Sequence, residues 1–322
     1  MPFLDAKQLK AHEDINFVHS ILLIGGITAV LATGAYLLFG ASGLVAVFLS
    51  LCILSLMAPQ VPPELVMRLY RGRLHQPGRN QLSYIVDELS RRAQLTRRPD
   101  LYVIPSATLN AFATGSPQHS AIAVTEGLLR NMTLREIAGV IAHEISHIRN
   151  NDLWLMNLAD VMTRYVQLMS YVAFFLAITN VLALTTGDMP VSWWGIALLY
   201  LAPSVSSLLQ LALSRTREFD ADRQAAALTG DPLGLASALS RLDRSTGRFW
   251  EDLSFPVPAR QTPQPSLLRS HPATEERVRR LRGFVPKVSM PPIRIVEEPM
   301  VSLIGWGPIE LRPRYRWPGI WF

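Results

Sequence analysis

The 322-residue chain is expected to be a mainly α membrane protein, with four transmembrane helices and a cytoplasmic domain that holds a small β-sheet. Three observations lead there. Hydrophobic residues make up 49% of the chain and charged residues only 17%, which is little charge for a soluble globule. None of the 31 Lys and Arg residues lies in 17–58 or 165–213, the two stretches that carry apolar runs of membrane length. Between those stretches, residues 133–152 read as one amphipathic helix, TLREIAGVIAHEISHIRNND, in a polar region with strand signals.

Residues 1–16 are polar and of mixed charge, without the basic start and short apolar core of a secretory signal. Residues 17–58 form the first transmembrane hairpin. Its runs are 17–39 and 44–57, with a Gly40 to Gly43 turn between them and Pro59, Pro62 and Pro63 behind them. Each arm approaches the ~20 residues that cross a bilayer, the second falling a little short. Cys52, the one cysteine, rules out an internal disulfide; in an apolar run it reads as a small buried hydrophobe.

Residues 59–164 are polar and rich in arginine. An amphipathic helix is expected over 81–95, through Leu82, Ile85, Val86 and Leu89. Strands are expected at 101–104, 110–114 and 121–125, the last two joined through a Gly-Ser-Pro turn. An edge strand of such a sheet can take up an extended peptide through backbone hydrogen bonds. Residues 165–213 form the second hairpin, from runs at 165–187 and 191–213, with Pro203 as a kink. Residues 214–285 are polar again, and Asp231-Pro232 opens a helix to about Thr246. A Pro-, Ser- and Gln-rich loop covers 247–270, and His271-Pro272 opens a last helix through Arg282. The tail, 286–322, is Pro-rich and mixes Trp306, Trp317 and Trp321 with arginines, which suits a membrane interface or a disordered segment. Both hairpin tips lack positive charge, so the positive-inside rule puts the termini and the polar regions in the cytoplasm.

The chemistry is concentrated in His143-Glu144-Ile145-Ser146-His147. Thr133 with Glu136 makes a capping box that starts the helix. Residues four apart share a helix face, so both imidazoles can bind one zinc ion. Glu144 lies ~100° further round and can reach a water at the metal without being a ligand; its role is general base. A catalytic zinc takes three protein ligands and leaves a fourth position for water. One class of zinc protease places a third His six residues after the second, following a Gly. Asn150 and Leu153 stand at those places here, which excludes it. Another class takes a Glu from a later helix. In SRTREFDAD, residues 214–222, Glu218 suits a ligand and Asp222 a carboxylate behind a zinc-bound His. A plain charged helix face with Arg215, Arg217 and Arg223 is the simpler alternative. Asp152 and Asp160 are weaker rivals, Asp152 because it follows His147 too closely to fold back onto the metal.

Four blocks occur in order: NAFATG at 110–115, the 133–152 helix, SRTREFDAD, and HPATEERVRRL at 271–281. Together they resemble the HtpX-type integral-membrane metalloproteases, relatives of the CAAX prenyl endopeptidases. The blocks run from about residue 80 to 283 and the hydrophobic flanks extend the resemblance towards residue 17, so that only the last forty or so residues fall outside it. It implies a gluzincin-like zinc endopeptidase with one zinc per chain, acting in membrane-protein quality control in a bacterial inner membrane.

 It also implies that Asn110, Ala111 and Phe112 line the substrate cleft, and that His271 holds substrate or stabilises the oxyanion; the neighbouring Arg277 reads instead as one half of a structural salt bridge. Membrane or membrane-associated proteins are the implied substrates, beside the bilayer itself; a homo-oligomer is left open.

Other classes fit less well. The net charge of +6 comes without an aromatic-basic stripe or a nucleic-acid motif, so no nucleic-acid partner is expected. A prenyl-protein endopeptidase is the alternative enzyme, but no segment reads as a prenyl-recognising chamber. A zinc-stabilised scaffold without activity has no use for Glu144. An ion-coupled transporter needs ionisable residues inside its spans, and 17–58 and 191–213 contain no Asp, Glu, Lys or Arg.

Overall fold

The computed structural model describes residues 6–57, 62–75, 78, 80–186, 191–251, 274–284, 290–296, 315–316 and 320–321. The chain divides into two compact units. One is built from Lys7–Pro59 and Trp154–Ser214, the other mainly from Gln60–Leu153 and Arg215–Phe322.

The first unit contains α1 (Ala6–Met57) and most of α6 (Asp152–Thr186) and α7 (Trp193–Thr229). Among the described residues, three helices are long and apolar enough to cross a membrane: Ile24–Ile53, Asp152–Leu184 and Trp193–Thr229. The first is interrupted at the expected turn. Gly40 takes φ 61° and ψ −144°, outside helical geometry. A side chain at Gly43 would run into the carbonyl of Ala35, eight residues earlier. A continuous helix would put those residues ~12 Å apart, so the chain doubles back here. Glycines also let helices approach closely: a Cβ on Gly34 would meet Leu199 and one on Gly195 would meet Leu38. Ile27, Leu31, Leu158, Met162, Ile196 and Leu199 fill the interior, while Phe48, Phe175 and Leu208 face outward. Cys52 is also exposed, which corrects the expectation of burial. On an apolar helix with an apolar outer face, hydrophobic neighbours do not imply a place in the interior.

The second unit contains α2 (Pro63–Leu69), α3 (Gln81–Arg92), α4 (Glu126–Asn131), α5 (Leu134–Arg149), α8 (Pro232–Glu251) and α9 (Thr274–Phe284). Its four-stranded sheet is formed by β1 (Arg73–Leu74), β2 (Asp100–Ile104), β3 (Ala111–Ser116) and β4 (His119–Thr125). The order is β1-β2-β4-β3; β2 runs parallel to β4, and β3 antiparallel to it, so β3 is an edge. A second, two-stranded sheet joins β5 (Tyr315–Arg316) to β6 (Ile320–Trp321) in the tail. The 81–95 helix and three strands stand close to their expected places; α2, α4 and β1 are additional.

Alternation along the strands separates two cores. Ala111, Ala113, Ile122 and Val124 pack with Ile137, Ile141 and Ile145 of α5. Phe112, Ala121, Ala123 and Ile104 turn to the other face, against Met67 of α2. Helix α5 starts at the expected capping box. The Thr133 backbone N–H donates to Glu136 Oε2 at 2.9 Å, and the Glu136 N–H donates to Thr133 Oγ1 at 3.3 Å. Its buried face then meets α8 at Gly139, where a Cβ would lie 2.9 Å from the Leu235 backbone. Asp231 caps α8, accepting from the Gly234 N–H at 3.2 Å, and pairs with Arg135 of α5. These contacts fix the face of α5 that carries the two histidines.

Candidate metal centre

Helix α5 presents His143 and His147, one turn apart, and α7 brings Glu218 against them. His143 Nε2 is 3.2 Å from His147 Nε2 and 3.4 Å from Glu218 Oε2; His147 Nε2 is 3.6 Å from Glu218 Oε1. All three residues are buried. In a tetrahedral site with bonds of 2.0–2.2 Å, donor atoms stand ~3.4 Å apart, the spacing found here. The donor set, two imidazoles and a carboxylate, matches a zinc site with one open position.

Each ring is oriented from behind. Asp152 Oδ2 lies 2.9 Å from His147 Nδ1, and Asp222 Oδ1 lies 3.1 Å from His143 Nδ1. A carboxylate only accepts, so in each neutral ring Nδ1 carries the proton and Nε2 is left with the lone pair that a metal needs. Two guanidiniums hold these aspartates. Arg277 of α9 donates through Nε and Nη2 to Asp222 at 2.7 and 2.6 Å, and its Nη2 is 3.3 Å from Glu218. Arg217 pairs with Asp152. Among the described residues, the charges buried around the two histidines are the carboxylates of Glu144, Asp152, Glu218 and Asp222 and the guanidiniums of Arg217 and Arg277. With all of them ionised and both imidazoles neutral, as metal binding requires, the cluster carries a formal charge of −2, which a divalent cation cancels.

Glu144 stands beside the donors. Its Oε2 accepts the Ala113 N–H of β3 at 2.8 Å. Burial pushes its carboxyl above the ordinary value of 4.5. Burial, and then the neighbouring His143, push His147 below 6.5. For His143, burial opposes the charge, but Asp222 and Glu218 outweigh it and raise the pKa to about 9. Burial likewise opposes the charge on Arg277, and Asp222 with Glu218 overcomes it, raising that pKa as well.

Residues 78–285 match the model of Peptidase family M48. The chain belongs to that family. It is therefore a metalloprotease, and the family implies a metal cofactor for the centre just described. Among its relatives is a protease HtpX homolog of Acaryochloris marina, 37% identical over 283 residues, covering 83% of this chain and 94% of the relative. A protease HtpX homolog of Desulfatibacillum aliphaticivorans is 34% identical over 282 residues, covering 84% and 91%. The crystal structure of S. mikatae Ste24p is similar at 22% identity and a TM-score of 0.45, covering 85% of this chain and 66% of that one.

The structure thus brings together His143, Glu144, His147, Glu218 and Asp222. Asn110 is buried next to β3, its N–H donating to Thr125 Oγ1 at 3.0 Å, and Ala111 packs toward α5. Phe112 corrects its expected place at the cleft: its ring packs on Tyr70, centroids 5.1 Å apart, in the core on the sheet's other face. Strand alternation is the reason, since it follows Ala111 by one residue. His271 lies outside the described residues. Asp152, a weaker rival for the metal by its place in the sequence, instead contacts His147 from behind, which its sequence position did not foretell. Asn151 at φ 55° turns the chain between α5 and α6 and brings Asp152 back to the far side of that ring. An Asn-Asn pair at a helix end, followed by Asp, was the available signal.

Proposed function

We propose that the chain is an integral-membrane zinc endopeptidase that hydrolyses peptide bonds of membrane or membrane-associated proteins, in membrane-protein quality control. Four passes, with α1 counted as two arms about Gly40, leave the termini and the metal centre in the cytoplasm. The observation that carries this reading is the convergence of His143, His147 and Glu218 at tetrahedral spacing, with Glu144 beside them.

His143, His147 and Glu218 would hold the zinc, and Asp152 and Asp222 keep both imidazoles in the tautomer that binds it. Bound zinc supplies Lewis acidity, which polarises a scissile carbonyl and makes water a better nucleophile at neutral pH. Glu144, with its proton affinity raised by burial, takes the proton of the attacking water and delivers it to the leaving amine. Substrate would lie along β3. The Ala113 N–H points out of the sheet to Glu144, so the outward backbone groups of Ala111, Ala113 and Gly115 share one edge. An extended peptide can pair there whatever its side chains, which suits a protease acting on many membrane proteins.

The test is Glu144→Gln in the full-length protein, in vesicles with a membrane-protein substrate. Loss of cleavage with metal still bound supports the reading; cleavage at the wild-type rate removes Glu144 from the mechanism.

A further inference from the structure

The two imidazoles are held from different parts of the fold. The carboxylate behind His143 is clamped by α9, through Arg277. The one behind His147 is fully buried and pairs with Arg217, itself buried. The chain positions of this second pair set it apart. Asp152 is the first residue of α6, and Arg217 directly precedes Glu218 on α7. Helix α6 leaves Asp152 for the apolar stretch that ends at Thr186, and α7 returns from Trp193. One buried ion pair therefore joins the points where the two arms of the hairpin begin and end. It also touches the centre on both sides: Asp152 holds His147 Nδ1 at 2.9 Å, and Arg217 is bonded through the backbone to Glu218.

We propose that the Asp152–Arg217 pair is a positioning device that ties metal retention to the spacing of the two hairpin arms. The proposal rests on His143, His147 and Glu218 being the metal ligands. Two buried charges cannot be drawn apart cheaply, because neither regains water. Arms that shift where they meet this pair must either break it or carry His147 and Glu218 with them. Metal bonds tolerate only a few tenths of an ångström, so either event weakens the site. A hydrophobic hairpin adjusts to bilayer thickness by tilting, which moves its arms. Metal release is thereby made to depend on the bilayer.

The experiment uses full-length protein in phosphatidylcholine vesicles of short or long acyl chains. Zinc release into excess chelator is followed with a chromogenic indicator. The variants are Asp152→Asn, Arg217→Gln, Arg217→Lys and the double Asp152→Asn/Arg217→Gln, which leaves no lone charge buried and so guards against misfolding. Wild-type release is expected to differ about fivefold between the two bilayers. The double variant is expected to release zinc about 10- to 100-fold faster and equally in both, while its metal-free thermal unfolding matches wild type. Arg217→Lys, which keeps the charge, should recover part of the retention. Equal wild-type rates in the two bilayers would overturn the proposal, as would a double variant that holds zinc like wild type or keeps the thickness dependence. A wild type that holds no zinc in either bilayer, yet is folded, would remove the ligand assignment as well.

Discussion

Metal binding should be coupled to the loss of one proton from His143. The perturbation is pH, and the magnitude follows from the site. His143 has a pKa of about 9 without metal, against an ordinary 6.5, because Asp222 and Glu218 face it. At pH 7 the imidazole is then almost wholly protonated, and the proton must leave before Nε2 can bind a metal. Relative to an unshifted histidine this costs about a hundredfold in affinity, or ~2.7 kcal/mol. Apparent affinity should rise about tenfold per pH unit as pH increases toward 9, and then level off. The sign for the metal-free fold is opposite. A raised histidine pKa contributes stability that is full below 6.5 and is lost as pH rises through about 9. Chelator competition across pH 6–10 measures the affinity, and calorimetry in buffers of different ionisation enthalpy counts the proton. An affinity that is flat above pH 7, with no proton released, would refute the reasoning. Asp222→Asn removes the charge nearest the ring and should move the plateau to lower pH.

Three substitutions test the support of the site. Gly139→Val puts a branched side chain against the Leu235 backbone and should cost about 1–3 kcal/mol in thermal or denaturant unfolding, because α8 must shift. Thr133→Ala removes the cap of α5 and should cost ~1 kcal/mol in the same assay, with metal stoichiometry unchanged. Phe112→Ala empties the core beneath α2 and should cost about 3–5 kcal/mol. Its surviving folded fraction should cleave with an unchanged KM, since the ring faces away from α5; a large rise in KM would return Phe112 to the cleft.

What could be read from sequence was whatever local chemistry dictates. The start of α5 follows from Thr133 and Glu136, and the face it shows follows from residues four apart. Glu218 and Asp222 were legible through the same spacing, once the histidine pair raised the question of a third ligand. The break at Gly40 was legible as a glycine-rich interruption of an apolar run. Partners set by tertiary packing were not. Nothing near Arg217 in sequence points to Asp152, sixty-five positions earlier, and nothing near Arg277 points to the fork it makes on Asp222. Cys52 and Phe112 failed for a related reason. Hydrophobicity says that a side chain avoids water, but not whether lipid, the main core or a smaller core receives it.

The central claim is that three side chains, distant in sequence, share one metal ion while a fourth works beside it. Its most direct test is metal content measured together with peptide-bond cleavage for purified full-length wild type, Glu218→Gln and Glu144→Gln. The account predicts one equivalent of zinc in wild type and in Glu144→Gln, little in Glu218→Gln, and cleavage by wild type alone. A Glu218→Gln protein that keeps its zinc and its activity would contradict it.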